Sequence, residues 1–308
     1  MLLPVAPCAA VIIYSDPGRL TTPPAGKLAD SGYQYEGQFE AFTGTPIAPN
    51  FFITASHIGG GVGQGFLFDG GEYSTIAEYD DPNSDLRIWQ ISGTFSTYAP
   101  LYTKKNEKGK AISVFGRGTD RGAAVAIKKK LRGWKWGATD SSLSWGTNKI
   151  SGTENFGPDI GNVLEFAFKG SKSKPYEAAL SEGDSGGGVF IKVGKTWELA
   201  GVNYSADGPF SFDTNPANKF SASLVNESGL YTFSQTNQAI ALKGAKPTLS
   251  YATRISTEIP WIDSVLAGHA GADVAMNTFS NTVPEPAGAA IILIALLPGR
   301  MRRQKKSG

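Results

Sequence analysis

Gly183-Asp184-Ser185-Gly186-Gly187-Gly188 is the stretch on which the reading of this chain turns. It sets one serine among residues small enough to let a substrate come close, and glycine supplies backbone angles that other residues avoid. In such a turn the N–H groups of Gly183 and Ser185 can point at one spot, and two preorganised donors aimed at one oxygen form an oxyanion hole. The same run also fits an ordinary glycine-rich hairpin turn, so the rest of the chain has to decide.

A serine hydroxyl attacks well only when a base takes its proton, and the chain holds two histidines. His269 lies in Ala267-Gly268-His269-Ala270-Gly271, a run of small residues that reads as solvated linker. His57 ends Asn50-Phe51-Phe52-Ile53-Thr54-Ala55-Ser56-His57, an apolar strand entering a glycine-rich turn, where a rigid element holds a side chain at its exposed end. A third group must fix the imidazole tautomer and offset its developing charge. Asp85 stands at the mouth of Leu86-Arg87-Ile88-Trp89-Gln90-Ile91, whose alternation predicts a half-buried strand.

The order His57, Asp85, Ser185 and the frames Thr54-Ala55-Ser56-His57, Ser84-Asp85-Leu86-Arg87-Ile88 and Gly183-Asp184-Ser185-Gly186-Gly187 resemble the trypsin and chymotrypsin family of serine proteases. Gly183 to Gly187 also satisfies the G-x-S-x-G pattern of α/β-hydrolases, where the acid and then the histidine follow the serine. Only His269 follows it here. Trp197-Glu198-Leu199-Ala200-Gly201-Val202 resembles the family's strand after the nucleophile, Tyr251-Ala252-Thr253-Arg254-Ile255 the strand before the terminal helix, and Ile259-Pro260-Trp261-Ile262 that helix.

The resemblance runs over roughly residues 10 to 267 and implies an all-β, chymotrypsin-like fold: two six-stranded β-barrels, divided near residue 120, and a C-terminal helix. It implies His57 and Asp85 from the first barrel and Ser185 from the second as catalytic residues, with the N–H groups of Gly183 and Ser185 as oxyanion hole. The implied activity is peptide-bond hydrolysis through an acyl-enzyme, on a peptide or protein substrate, with no cofactor and no metal. Counting back from Ser185 puts Ala179 at the base of a side-chain pocket, Glu182 at its lip and Ser250 on its wall, with Asn203 and Tyr204 lining the cleft. Without a carboxylate at Ala179, small or apolar side chains fit better than cations. The chain departs from the family in two places: Gly188 stands where proline is usual, and no Ile-Val-Gly-Gly run occurs near the start. In the family that run's newly cut amine pairs with the aspartate before the serine, so Asp184 must find another donor. These departures keep open a catalytically inactive, protease-like binding or surface protein.

Composition agrees with an all-β chain. Among 308 residues, 38 glycines and 18 prolines supply turns, and helical periodicity is scarce. Ala111-Ile112-Ser113-Val114-Phe115, Val163 to Phe168 and Gly188-Val189-Phe190-Ile191 read as strands. A net charge of +2 sets up no strong overall field. Lys128-Lys129-Lys130-Leu131-Arg132-Gly133-Trp134-Lys135-Trp136 alternates as one exposed strand would, and a nucleic-acid role is not expected of it. The acidic run Glu78 to Asp85 fits no calcium-loop spacing and reads as a solvated turn. Cys8 is the only cysteine, so no internal disulfide forms. Met1 to Tyr14 is either a signal-peptide remnant or the first strand. Residues 15–267 form the protease-like domain, and 205–249 is an insertion that reads as a lid, a subsite wall or a surface hairpin.

After a linker, 268–282, residues 283–308 carry Val283-Pro284-Glu285-Pro286, the apolar run Ala287 to Leu297, and a basic end from Arg300 to Lys306. This resembles the PEP-CTERM sorting signal of Gram-negative bacteria. The resemblance implies export to the cell envelope or outside, a membrane sorting enzyme of the exosortase type as partner, and transient membrane association. The uncharged run of 11 residues is short of the ~20 that span a bilayer.

Overall fold

The computed structural model describes residues 11–15, 20–171 and 173–269. After a short strand β1 (Ile12–Ile13), the chain lays down β2 (Gly37–Phe39), β3 (Phe42–Ala48), β4 (Phe51–Ala55), β5 (Gly65–Phe68), β6 (Gly71–Asp80) and β7 (Leu86–Ile91). These six close into an antiparallel barrel in the order β2-β3-β4-β7-β6-β5. Then follow β8 (Ala111–Gly116), β9 (Arg121–Ile127), β10 (Lys130–Trp136), β11 (Ser144–Asn155), β12 (Asn162–Ala167), β13 (Ala178–Ala179), β14 (Gly188–Val193) and β15 (Thr196–Ala206). Strands β16 (Ala222–Leu224), β17 (Tyr231–Phe233), β18 (Ala239–Ala241) and β19 (Leu249–Arg254) lead into the helix α1 (Ile255–His269). The second closed barrel runs β11-β12-β19-β15-β14-β8. Two six-stranded antiparallel barrels and a C-terminal helix are the implied architecture.

The apolar run of β4 is continuous because both of its faces are buried. Phe52 points into the first barrel with Phe39, Phe66, Phe68 and Trp89, stacking on Phe66 at 3.9 Å between ring centroids. Phe51, Ile53 and Ala55 instead join a shared core with Phe115, Phe190, Leu199 and Val202 of the second barrel and Ile255, Ile262 and Val265 of α1. The same division of labour holds on β14, where Val189 and Ile191 fill the second barrel while Phe190 faces the shared core. The two barrels are therefore cemented by the alternate faces of the strands that carry the site.

Several expectations need correction. The boundary between the barrels lies between Ile91 and Ala111, not near 120, because β8 pairs with β11 and β14 as a full member of the second barrel. Within that connection Glu107 accepts two hydrogen bonds from Arg254, at 2.9 and 2.6 Å, tying it to the end of β19. The basic run is one strand over Lys130–Trp136, which is β10, and differs only at its start: Lys128 and Lys129 have φ of +49° and +63° and turn the chain between β9 and β10. The expected linker begins too early. Gly268 and His269 finish α1, where the His269 Nδ1 lies 2.9 Å from the Val265 carbonyl and the ring packs against Tyr79 at 4.4 Å.

At the start, Ile12 and Ile13 pair with β13, so the strand reading applies to them. The 205–249 insertion adds β16 to the β9–β10 hairpin and folds β17 and β18 into a second hairpin. Its small core joins Phe210, Ala222, Leu224 and Leu230 to Val125. Residues 270–308, including most of the linker and the whole expected sorting signal, lie outside the described residues, as does Cys8.

Candidate active site

The first barrel builds half of the site from two neighbouring strands. Strand β4 ends at Ala55 and a single tight turn, Ser56–Ile58, follows, closed by Gly59 at φ +75°. Ala55 pairs with Leu86, so the residues just beyond β4 lie beside the residue just ahead of β7, which is Asp85. Asp85 is 4 % exposed. Oδ1 accepts from the Ser56 hydroxyl at 2.8 Å and the His57 backbone N–H at 3.0 Å, leaving Oδ2 at 2.6 Å from His57 Nδ1. An ionised carboxylate only accepts, so Nδ1 carries the proton and Nε2 presents its lone pair. Nε2 lies 2.8 Å from Ser185 Oγ.

The second barrel supplies the serine through the turn that precedes β14. Here glycine is required by proximity. A Cβ on Gly186, which has φ +80°, would stand 2.2 Å from the Thr43 carbonyl oxygen and 2.3 Å from Thr54 Oγ1, so the turn presses directly on the first barrel. Gly183 has φ +93°, and the N–H groups of Gly183 and Ser185 have no acceptor among the described residues. Gly188 explains the first departure from the family. Its N–H donates to Glu36 Oε1 at 3.1 Å, a bond that proline lacks the hydrogen to make.

The second departure also has a physical answer. Asp184 is 1 % exposed and accepts from Ser181 N at 2.7 Å, Gly118 N at 2.9 Å, Ser181 Oγ at 3.1 Å and Val11 N at 3.3 Å. Burial pushes its carboxyl up to about 6, against the pull of these donors. The other donor that Asp184 requires is thus a set of backbone amides, Val11 among them, together with the Ser181 hydroxyl. The Ser181 hydroxyl also accepts from Thr119 N at 2.8 Å and so helps to hold the loop.

Three of the five residues expected to bind substrate stand behind the wall rather than on it. Asn203 is fully buried, its amide donating to the Phe115 carbonyl at 2.6 Å and the Asp184 carbonyl at 3.0 Å. Ser250 is 2 % exposed and accepts from Leu180 N at 3.0 Å. Ala179 is buried with Ile12 and Phe168, and Trp134 and Trp136 pack against that cluster. The physical reason is that β1 and the β9–β10 hairpin close over the rear of this segment. Tyr204 does reach the site, its ring edge-on to His57 at 5.6 Å and 83°. Burial, and then the Asp85 charge, push its hydroxyl up to about 12. Glu182 is exposed beside Gly183.

Sequence reasoning missed Ser56, Val11 and Glu36 as parts of this assembly. Ser56 adjoins His57 and was within reach of inspection, whereas Glu36 reaches Gly188 only through the packing of one barrel on the other. Among the described residues no three His, Cys, Asp or Glu side chains gather as a metal site, and no helix is long and apolar enough to cross a membrane. No protein-family model matches the chain, and a search of curated proteins finds no match.

Proposed function

We propose that the chain is a serine endopeptidase, and the observation that carries this reading is the unbroken contact line Asp85 Oδ2, His57 Nδ1, His57 Nε2, Ser185 Oγ, at 2.6 and 2.8 Å. Ser185 Oγ attacks the scissile carbonyl while His57 Nε2 takes its proton. Asp85 keeps the imidazole in the tautomer that makes this possible and offsets the charge that forms on it. The N–H groups of Gly183 and Ser185, free of acceptors among the described residues, receive the oxyanion. His57 then returns the proton to the leaving amine, and water, deprotonated by the same imidazole, releases the acyl group.

One observation favours a second reading, a protease-like binding or surface protein: Ala179 and Ser250 are closed off, and such a protein needs no side-chain pocket. Against it stands the aligned proton path, which binding alone does not require. Hydrolysis of an unfolded protein substrate by the full chain, lost in Ser185→Ala and His57→Ala variants that keep the wild-type circular dichroism spectrum, supports the peptidase. Equal, low turnover in all three supports the binding protein. Export and sorting through residues 283–308 by an exosortase-type enzyme, with the membrane as transient contact, belong to the same proposal.

A further inference from the structure

An open groove of about 450 Å³ lies to one side of the nucleophile. The order of the second barrel fixes which side. Strand β14, which begins three residues after Ser185, is flanked by β15, carrying Tyr204, and by β8, which leads directly to Arg117. Arg117 lines the groove with Glu36, Gln38, Leu67, Asp69 and Glu72. The groove starts next to the turn. The Arg117 carbonyl oxygen would stand 3.2 Å from a Cβ on Gly183, and Glu36 holds the N–H of Gly188.

Its floor is incomplete. Glu36 is 8 % exposed, yet its Oε2 has no hydrogen-bond partner among the described residues, and neither has Arg117 Nε. Such burial is costly unless a partner arrives. The rim is acidic and partly apolar: Asp69 and Glu72 are exposed carboxylates, and Leu67 leaves 47 % of its surface open. Three carboxyl groups outnumber one guanidinium. An anionic side chain would meet Asp69 and Glu72, and an apolar one would leave Glu36 unpaired. A lysine or arginine can lay its stem across Leu67 and offer several donors to the carboxyl groups.

We propose that this groove is the subsite for the half of a peptide substrate that leaves after attack, and that it selects a lysine or arginine side chain. The inference rests on the peptidase reading, under which the acyl half runs along β15 beside Tyr204, so that the chain crossing Ser185 continues over the opposite flank. Burial holds the Glu36 carboxyl up, at about 8, so the charge of the empty groove is set by the exposed carboxylates of Asp69 and Glu72 against the one guanidinium of Arg117. An entering cation is the partner that ionises Glu36.

The test uses the full chain and internally quenched peptides with one common acyl half, placing Ala, Lys, Arg or Glu at each of the first three positions after the cut. At one position, Lys or Arg should raise kcat/KM over Ala by about fivefold at low salt, and the gain should shrink at high salt. Combining Asp69→Asn with Glu72→Gln should bring the Lys-to-Ala ratio close to one, and Glu72→Lys should turn the preference toward Glu. Asparagine suits position 69, where φ is +49°. A flat profile in wild type, or a ratio unmoved in the variants, overturns the groove while Ser185 still reacts with a fluorophosphonate. No turnover together with an unreactive Ser185 overturns the peptidase reading as well.

Discussion

The backbone N–H of Val11 donates to Oδ1 of Asp184 at 3.3 Å, joining positions 173 residues apart. Val11 is fully buried and has φ +40°, a conformation that is costly for a β-branched residue. A chain that begins at Val11 has no such torsion to hold and places an ammonium where the amide now lies. A charged donor strengthens a hydrogen bond to a carboxylate by about 1–2 kcal/mol. Such a chain should be more stable at pH 8 than the full chain by that amount, and Ser185 should react faster. Denaturant midpoints and labelling rates that coincide for the two chains would contradict this.

Glu36 gives stability an unusual pH dependence. Its folded-state pKa of about 8 lies above the ordinary 4.5, so the fold favours the protonated form. That contribution is complete below pH 4.5 and is lost as pH rises toward 8, up to about 5 kcal/mol in all. Asp184 acts in the same direction between 3.8 and about 6. Wild type should therefore weaken from pH 5 to pH 8. Glu36→Gln keeps an acceptor for Gly188 without the charge, and should flatten the curve and exceed wild type at pH 8. Urea midpoints at pH 5, 6.5 and 8 decide it, and parallel curves for the two proteins would refute the assignment.

Gly188→Pro tests the account of the family departure. Although proline is usual there in the family, here it removes the N–H that Glu36 accepts, and a Cβ at this position would stand 2.4 Å from Glu36 Oε1. The combined loss should be about 3 kcal/mol. A variant within 0.5 kcal/mol of wild type, a threshold set at roughly the scatter of neutral surface changes, would mean that the Glu36 contact contributes little.

The acid of the site can be separated from its neighbours. Asp85→Asn should lower kcat/KM by roughly 10⁴, because an amide favours the wrong imidazole tautomer. Asp80→Asn and Asp81→Asn should leave the chemistry in place: Asp80 pairs with Arg87, at 2.5 and 2.8 Å, and Asp81 ties its own turn through Asn83 and Ser84. The reverse ranking in steady-state kinetics would reassign the acid.

The parts of this architecture that were legible in sequence are those set by local chemistry. The strands Leu86–Ile91 and Ala111–Gly116 keep the bounds of their apolar runs, although Leu86–Ile91 is buried at every position but Arg87 rather than half-buried, and His57, Asp85 and Ser185 stand where strand ends and a glycine turn mark them. What could not be read depends on contacts between distant segments. The burial of Asn203 and Ser250 needs β8 and β13 to be in place, and the partnership of Asp184 with Val11 needs β1 to pair with β13. The barrel boundary failed because the connection 92–110 has no strand pattern of its own while β8 already belongs to the second barrel. His269 was misread because small residues resemble a linker, although its bond to Val265 and its contact with Tyr79 complete the helix.

The central claim is that His57 makes Ser185 a nucleophile. Incubating the full chain with a fluorophosphonate and locating the adduct by mass spectrometry tests it most directly. The account predicts a single adduct on Ser185, formed quickly in wild type and hardly at all in His57→Ala. A folded wild-type chain that stays unlabelled, or one labelled on Ser185 equally fast without His57, would contradict it.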